Sequence, residues 1–246
     1  MSLVFDPSRV SVADLPRGFA QPAHGSQGCF RAVLDAMARP GRVQMLPADV
    51  RQDLHHPADL SEAFAAVLLT LTDADTRVHW APGLCAPAAL AVWRAFGRFH
   101  TGLTEAADPA EADFAFTHAN HTPESLLATL PLGEDETPQH GATLVIEAAT
   151  LQAVEETAEG RIARALPAPD ADPTPWVRLT GPGIQHAHGL AVGGLSRAFW
   201  RARQALEAHF PCGIDLLFTC GDRVAALPRS TRVEIDPAWA PSPTRS

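Results

Sequence analysis

PCGIDLLFTCGDRVAALPRSTRVEI, Pro211 to Ile235, is the densest run of pattern in the chain. Strands are expected over 214–219 and 223–227, and Cys220-Gly221-Asp222 supplies a tight turn, so the two runs read as a β-hairpin. Pro228 ends the pairing, and a last strand is expected near 231–235. Asp215 interrupts the first strand where an apolar side chain belongs. A core-facing carboxylate needs backbone N–H groups or a cation, and Arg223 or Arg229 can supply one. Arg229, Ser230 and Thr231 put a guanidinium beside two hydroxyls, a set that suits an oxyanion and equally suits a structural ion pair.

Upstream, helix and strand patterns alternate. Phe30, Val33, Leu34 and Met37 recur at helical spacing over 26–38, and Arg39-Pro40-Gly41 stops that helix. Val43 to Leu46 reads as a short strand. Asp59 with Glu62 three residues on is a capping-box signature for a second helix to about Leu69. Strands are expected at 77–80, 113–117 and 142–148, with helices from Pro87 and after Thr122-Pro123. A strand over 176–180, a turn-rich GPGIQHAHG and a helix from Ser196 to about His209 lead into the hairpin. The rhythm predicts one α/β domain over 1–246, with a mixed sheet flanked by helices in a three-layer-like arrangement. The acidic, then Pro-rich stretch 149–175 reads as a surface excursion, and 237–246 as a flexible tail.

Composition narrows the chemistry. Acidic residues outnumber basic ones, 28 to 19, for a net charge of −9, which disfavours a nucleic-acid surface. The chain has no lysine and no tyrosine. No side chain can form a Schiff base, no Walker lysine can reach a nucleotide, and no tyrosine can serve as acid or base. Cys29, Cys85, Cys212 and Cys220 are scattered without metal-ligand spacing and read as small buried hydrophobes. The longest apolar run, 63–71, is too short to span a membrane, and a reducing cytoplasm is the default location.

Other clusters are weaker. His186 and His188 form an H-x-H pair, read as part of a solvated turn without a third ligand. Gly181-Pro182-Gly183 does not complete a phosphate-binding motif, and Ser196 suits a helix N-cap better than a nucleophile elbow. Asp73 and Asp75 close a helix where aspartates are common, yet they could meet a cation or hydroxyl. Arg31, Arg39 and Arg42 gather around the first helix, where planar guanidinium groups suit phosphate oxygens or a partner's carboxylates.

QGCFRAVLDAMARPG (27–41), LLTLTDADT (68–76), FHTG (99–102), ADFAF (112–116), GATLVIEA (141–148), LTGPGI (179–184) and FPCGIDLLFTCGDRVAALPRSTRVEI (210–235) together resemble the PhnH family, the H subunit of the bacterial carbon–phosphorus lyase system, over about 20–236. The resemblance implies a fold related to pyridoxal-phosphate-dependent transferases that has lost the cofactor. It implies a homodimer when alone and a non-radical subunit that assembles with the G, I and J subunits. The complex would transfer a phosphonate to the ribose of ATP and release adenine, giving a ribose 1-phosphonate 5-triphosphate. An iron–sulfur cluster and S-adenosylmethionine would belong to a partner. No catalytic residue, metal ligand or cofactor-binding residue carries over. The ligand or interface candidates are Arg31, Arg39, Asp73, His100 (within FHTG), Asp215, Arg229 and Thr231. The alternatives are a site shared with a partner and an independent small-anion-binding dimer.

Overall fold

The computed structural model describes residues 10–157, 160–163 and 174–235. In chain order its elements are β1 (Gly18–Phe19), α1 (Pro22–Ala38), β2 (Gln44–Met45), α2 (Ala48–Gln52), β3 (Leu54–His55), α3 (Glu62–Leu71), β4 (Arg77–Trp80), α4 (Pro87–Thr101) and β5 (Thr104–Glu105). Next come β6 (Phe114–His118), α5 (Glu124–Thr129), β7 (Leu132–Glu134), β8 (Thr137–Gly141), β9 (Thr143–Glu147), β10 (Leu151–Thr157) and β11 (Gly160–Ala163). The remainder is β12 (Trp176–Thr180), β13 (His188–Val192), α6 (Arg197–Ala205), β14 (Asp215–Cys220), β15 (Arg223–Leu227) and β16 (Arg232–Ile235).

The expected α/β class and mixed sheet are present. Seven strands run in the order β2-β15-β14-β9-β6-β4-β5. The pairs from β14 through β9, β6 and β4 to β5 are all parallel, and β15 is antiparallel to both of its neighbours. The hairpin behaves as read: Cys220 pairs with Arg223 across a two-residue turn, and Gly221 takes a left-handed φ of 59° with open space around it. Glycine at the first central position is what such a turn requires.

Alternation splits the strands between two cores. Val145, Leu217, Val224 and Ala226 face one side and pack with α1, α3 and α4; Leu144, Ile146, Leu216, Phe218 and Leu227 face the other. The helix α3 is apolar all round, with Ala63 to Leu68 buried without a break, as suits a helix clamped between α1 and the sheet. Its N-cap is Ser61, whose Oγ accepts from the Phe64 N–H at 3.2 Å. Asp59, expected to begin the capping box, instead holds a left-handed φ of 78°.

The second face differs from a simple helix layer. A five-stranded antiparallel sheet, β11-β10-β13-β12-β16, packs there with α5 and α6. Three of its strands went unread in the sequence. The supposed surface excursion at 149–175 contributes β10, with Leu151, Ala153 and Val154 buried, and β11. The supposed solvated turn GPGIQHAHG runs into β13, all five residues of which are buried. His188 is thus no loop residue: it is 5% exposed, and its Nδ1 donates to the Pro40 carbonyl at 2.6 Å. Residues 158–159 and 164–173 of the excursion, and the tail at 237–246, lie outside the described residues. No helix among the described residues is long and apolar enough to cross a membrane.

Candidate functional site

The hairpin's polar residues converge where β14 begins and β15 ends. Asp215 opens β14, and Arg229 follows β15 after Pro228, so antiparallel pairing brings them together. The Arg229 N–H donates to Asp215 Oδ1 at 2.7 Å, its Nε to the same oxygen at 3.2 Å, and its Nη2 to Oδ2 at 2.7 Å. Both side chains are mostly buried, 16% and 17% exposed. A bidentate, charge-assisted pair of this kind satisfies the carboxylate inside the fold. The remaining Arg229 nitrogen, Nη1, donates to the Pro138 carbonyl on β8. Asp215 and Arg229 therefore face each other, and the structural ion pair is the reading the geometry supports.

Beneath this turn lies a second arginine. Arg203 sits on the inner face of α6, 1% exposed, and its Nη2 donates to the carbonyls of Pro228 (3.1 Å), Arg229 (3.4 Å) and Thr231 (3.2 Å). Burial pulls its pKa down from the ordinary arginine value, opposed by the nearby Glu207 and Asp215 carboxylates. Arginine keeps its proton through such a shift, so the turn rests on a permanent cation. In the sequence, Arg203 holds an apolar position of the α6 stripe with Phe199 and Leu206. A charge in that stripe was the available sign.

Thr231 is fully buried, and its Oγ finds no hydrogen-bond partner. It borders a groove of about 450 Å³ lined also by Thr180, Gly181, Phe210, Ser230 and Arg232. The groove joins the LTGPG turn to the PRSTR turn, two of the stretches singled out in the sequence. Arg232 is exposed at the start of β16, and among the described residues no hydrogen bond or ion pair engages its guanidinium. With Arg229 committed to Asp215, Arg232 is the cation this groove offers to an anion, and the carboxylate of Glu207 in the same lining opposes one.

The other sequence candidates are not part of this site. Arg31 is exposed on α1 beside a groove of about 390 Å³ that also touches Asp35, Met45 and Asp49. Arg39 pairs with Asp35 one helical turn back. Arg42 reaches Glu155 of β10 at 2.9 Å and so ties the exit of α1 to the second sheet. Asp73 closes its own turn: Oδ1 accepts from the Asp75 N–H at 3.0 Å and from Thr76 Oγ at 2.7 Å. His100, near the end of α4, hydrogen-bonds the Pro16 carbonyl at 2.8 Å and pins the N-terminal segment. Among the described residues, no group of three or more His, Cys, Asp or Glu is arranged to hold a metal ion. All four cysteines are free; Cys29 and Cys212 are buried, and Cys85 and Cys220 partly so.

Glu147, at the carboxyl end of β9, was not singled out in the sequence, although a carboxylate ending the apolar run ATLVIEA was a signal. Its Oε2 accepts from Ser61 Oγ at 2.8 Å and Thr219 Oγ at 2.5 Å, and its Oε1 from the Ser61 N–H at 3.2 Å. Burial pushes its pKa up to about 7, against these hydrogen bonds, which lower it. The carboxyl bolts the start of α3 to two central strands.

Comparison with known proteins gives a consistent result. Residues 17–234 match the model of the family described as bacterial phosphonate metabolism protein (PhnH). The chain is 34% identical over 216 residues, 88% of its length and 94% of the relative's, to the alpha-D-ribose 1-methylphosphonate 5-triphosphate synthase subunit PhnH of Rhizobium meliloti (strain 1021). It is also 34% identical over 209 residues, 85% of this chain and 86% of the relative, to HtxG of Stutzerimonas stutzeri, provisionally named a C-P lyase subunit protein.

Proposed function

This chain belongs to the PhnH family of bacterial phosphonate metabolism proteins, and on that premise we propose that it is a non-radical subunit of a carbon–phosphorus lyase core complex acting in organic phosphonate breakdown. In this reading the complex transfers a phosphonate to the ribose of ATP and releases adenine, and the present subunit supplies shape and ligand contacts. The observation that carries it is the 34% identity to a ribose 1-methylphosphonate 5-triphosphate synthase subunit across 94% of that protein. ATP is then a substrate of the assembly, while the iron–sulfur cluster and S-adenosylmethionine reside on a partner.

The expected partners are the G, I and J subunits, with a homodimer when the chain is alone, in the cytoplasm. The face around Arg31 supports such docking. Phe30 and Leu34, one turn apart on α1, and Met45 on β2 are 50%, 55% and 59% exposed. Large apolar side chains grouped with an arginine that makes no ion pair among the described residues are what interface cores select. A relation to pyridoxal-phosphate-dependent transferases is part of the same proposal. The seven-stranded, mostly parallel sheet is compatible with it, and a chain without lysine has no residue to hold that cofactor as a Schiff base.

Co-expression with the G, I and J subunits tests the assignment. A co-purifying assembly is expected, weakened by Phe30→Asp with Leu34→Asp; recovery of this chain alone would overturn it. The groove at Ser230, Thr231 and Arg232 favours a second reading, an independent dimer that binds a small anion. That reading expects the isolated protein to bind inorganic phosphate and to lose binding in Arg232→Ala.

A further inference from the structure

In an open sheet of parallel strands, ligands bind outside the carboxyl ends of the strands where the strand order reverses. Here the reversal falls between β4 and β6. From β4 the chain passes through α4 to β5 on one side, and from β6 it proceeds to β9 on the other. The carboxyl ends of these two strands are Trp80 and His118. A cavity of about 420 Å³ opens there, lined by Asp59, Gly83, Leu84, Cys85, Ala86, His118 and His121.

Three separate connections build this cavity. Asp59 comes from the segment before α3, Gly83 to Ala86 from the loop after β4, and the two histidines from the end of β6 and the turn that follows it. The last two loops are clasped: Gly83 has a φ of 82°, and a Cβ there would lie 2.9 Å from that of His121. Asp59 is the one non-glycine residue among those described with a positive φ. Such a backbone costs on the order of 1 kcal/mol and is concentrated at functional sites. Its side chain is exposed, and among the described residues no hydrogen bond or ion pair engages the carboxylate.

The lining determines the class of ligand. It contains no arginine, so the carboxylate of Asp59 is unopposed and a phosphate or phosphonate is disfavoured. His118 accepts the Asn120 N–H at Nδ1, at 3.2 Å, which places the ring proton on Nε2. Burial and the neighbouring His121 push the His118 pKa down, so the ring stays neutral. Burial and the Asp59 charge raise the Cys85 thiol to about 11, leaving it protonated. The walls thus present an acceptor-only carboxylate together with neutral imidazole. Hydroxyl groups satisfy both, because each gives a proton to the carboxylate and takes one from Nε2–H.

We propose that the crevice at the carboxyl ends of β4 and β6 binds the adjacent hydroxyls of a pentose, either a free sugar or the ribose of a nucleoside, with Asp59 accepting from the diol and His118 donating to it. The choice of a pentose rests on the reading that the complex acts on the ribose of ATP, whereas the site itself is separate from the Arg232 groove and the α1 face, so a failure of binding here is distinguishable from a failure to co-purify with partner subunits.

The test is titration of the full-length protein with D-ribose, adenosine, 2′-deoxyadenosine and inorganic phosphate, followed by calorimetry and by amide shifts at Gly83 and His121. Adenosine should bind saturably with shifts at those residues, and 2′-deoxyadenosine about tenfold more weakly. Asp59→Asn, which tolerates the same backbone, should weaken adenosine about tenfold with an unchanged thermal midpoint. His121→Ala gives a second variant if Asp59→Asn fails to fold. Binding of ribose as well as adenosine identifies a free-sugar site, and binding of adenosine alone a nucleoside site; both support the proposal. It is overturned if neither binds at millimolar concentration, if the deoxy compound binds as well as adenosine, if both variants bind as the parent does, or if phosphate alone shifts these amides.

Discussion

Replacing Glu147 with glutamine should flatten the protein's dependence on pH. Glu147 titrates at about 7 in the fold because burial disfavours its charge, whereas in the unfolded chain it returns to a value near 4.5. The folded protein therefore holds this proton more tightly than the unfolded chain. The stability that results is fully present below the unfolded value and is lost as the pH rises through about 7. At about 1.4 kcal/mol per pH unit, the loss between acid and alkaline solution is about 3 kcal/mol. Glutamine keeps the shape: its carbonyl can accept the Ser61 N–H, and its amide can donate to the Ser61 and Thr219 hydroxyls, which then reverse direction. Urea unfolding of both proteins at about pH 5 and about pH 8 gives the comparison. The difference between the two curves cancels groups such as His118, whose lowered pKa adds a slope of the opposite sign. The parent should lose about 2.5 kcal/mol more than the variant across this interval, because part of the stability is already gone at about pH 5. Equal losses would refute the reasoning, because Glu147 would then titrate alike in both states.

The other expectations concern the turn after β15 and the end of α1. Asp215→Ala should cost about 2–3 kcal/mol by stranding the Arg229 guanidinium, and Asp215→Ala with Arg229→Met should recover part of it in the same urea melts. Arg203→Met removes the donor shared by three carbonyls and should cost roughly 2–3 kcal/mol, with faster amide exchange at Thr231, whose N–H bonds Pro228. Gly183→Ala should lower the thermal midpoint, since its φ of 81° is left-handed and a side chain there would collide with the Ala38 carbonyl. The loss is of order 1–3 kcal/mol, read by calorimetry.

Legibility in the sequence followed how local the determinant was. The hairpin at 214–227, α1 and the strands at 77–80 and 142–148 were readable because alternation, helical spacing and Gly or Pro stops lie within a few residues of one another. The strands β10 and β13 were not. LQAVEET carries carboxylates that read as solvated, yet Glu155 is buried against Arg42 from the segment after α1, a partner more than a hundred residues distant. HGLAV follows glycines and histidines that imitate a turn, and its burial on both sides exists only once two sheets pack. Part of the candidate site was legible: Asp215 facing Arg229 stood among the alternatives because both lie in one hairpin. Asp59, Cys85, His118 and His121 carry no joint pattern, since only the reversal of strand order gathers them. His100 and Asp73 lie in family-like stretches, yet His100 is engaged by the Pro16 carbonyl and Asp73 by the Asp75 N–H and the Thr76 hydroxyl.

The stretch from Asp215 to Ile235 serves both sheets. The strands β14 and β15 occupy the space between β9 and β2, and β16 pairs with β12 at the edge of the second sheet. During synthesis, β9 and β12 are therefore made long before their neighbours and must wait with bare backbone edges. A chain halted before Asp215 has two open sheets rather than one finished half, and its exposed edges invite the wrong strand. Completion of both sheets depends on this one stretch, so premature termination before Asp215 should yield aggregates instead of a stable fragment.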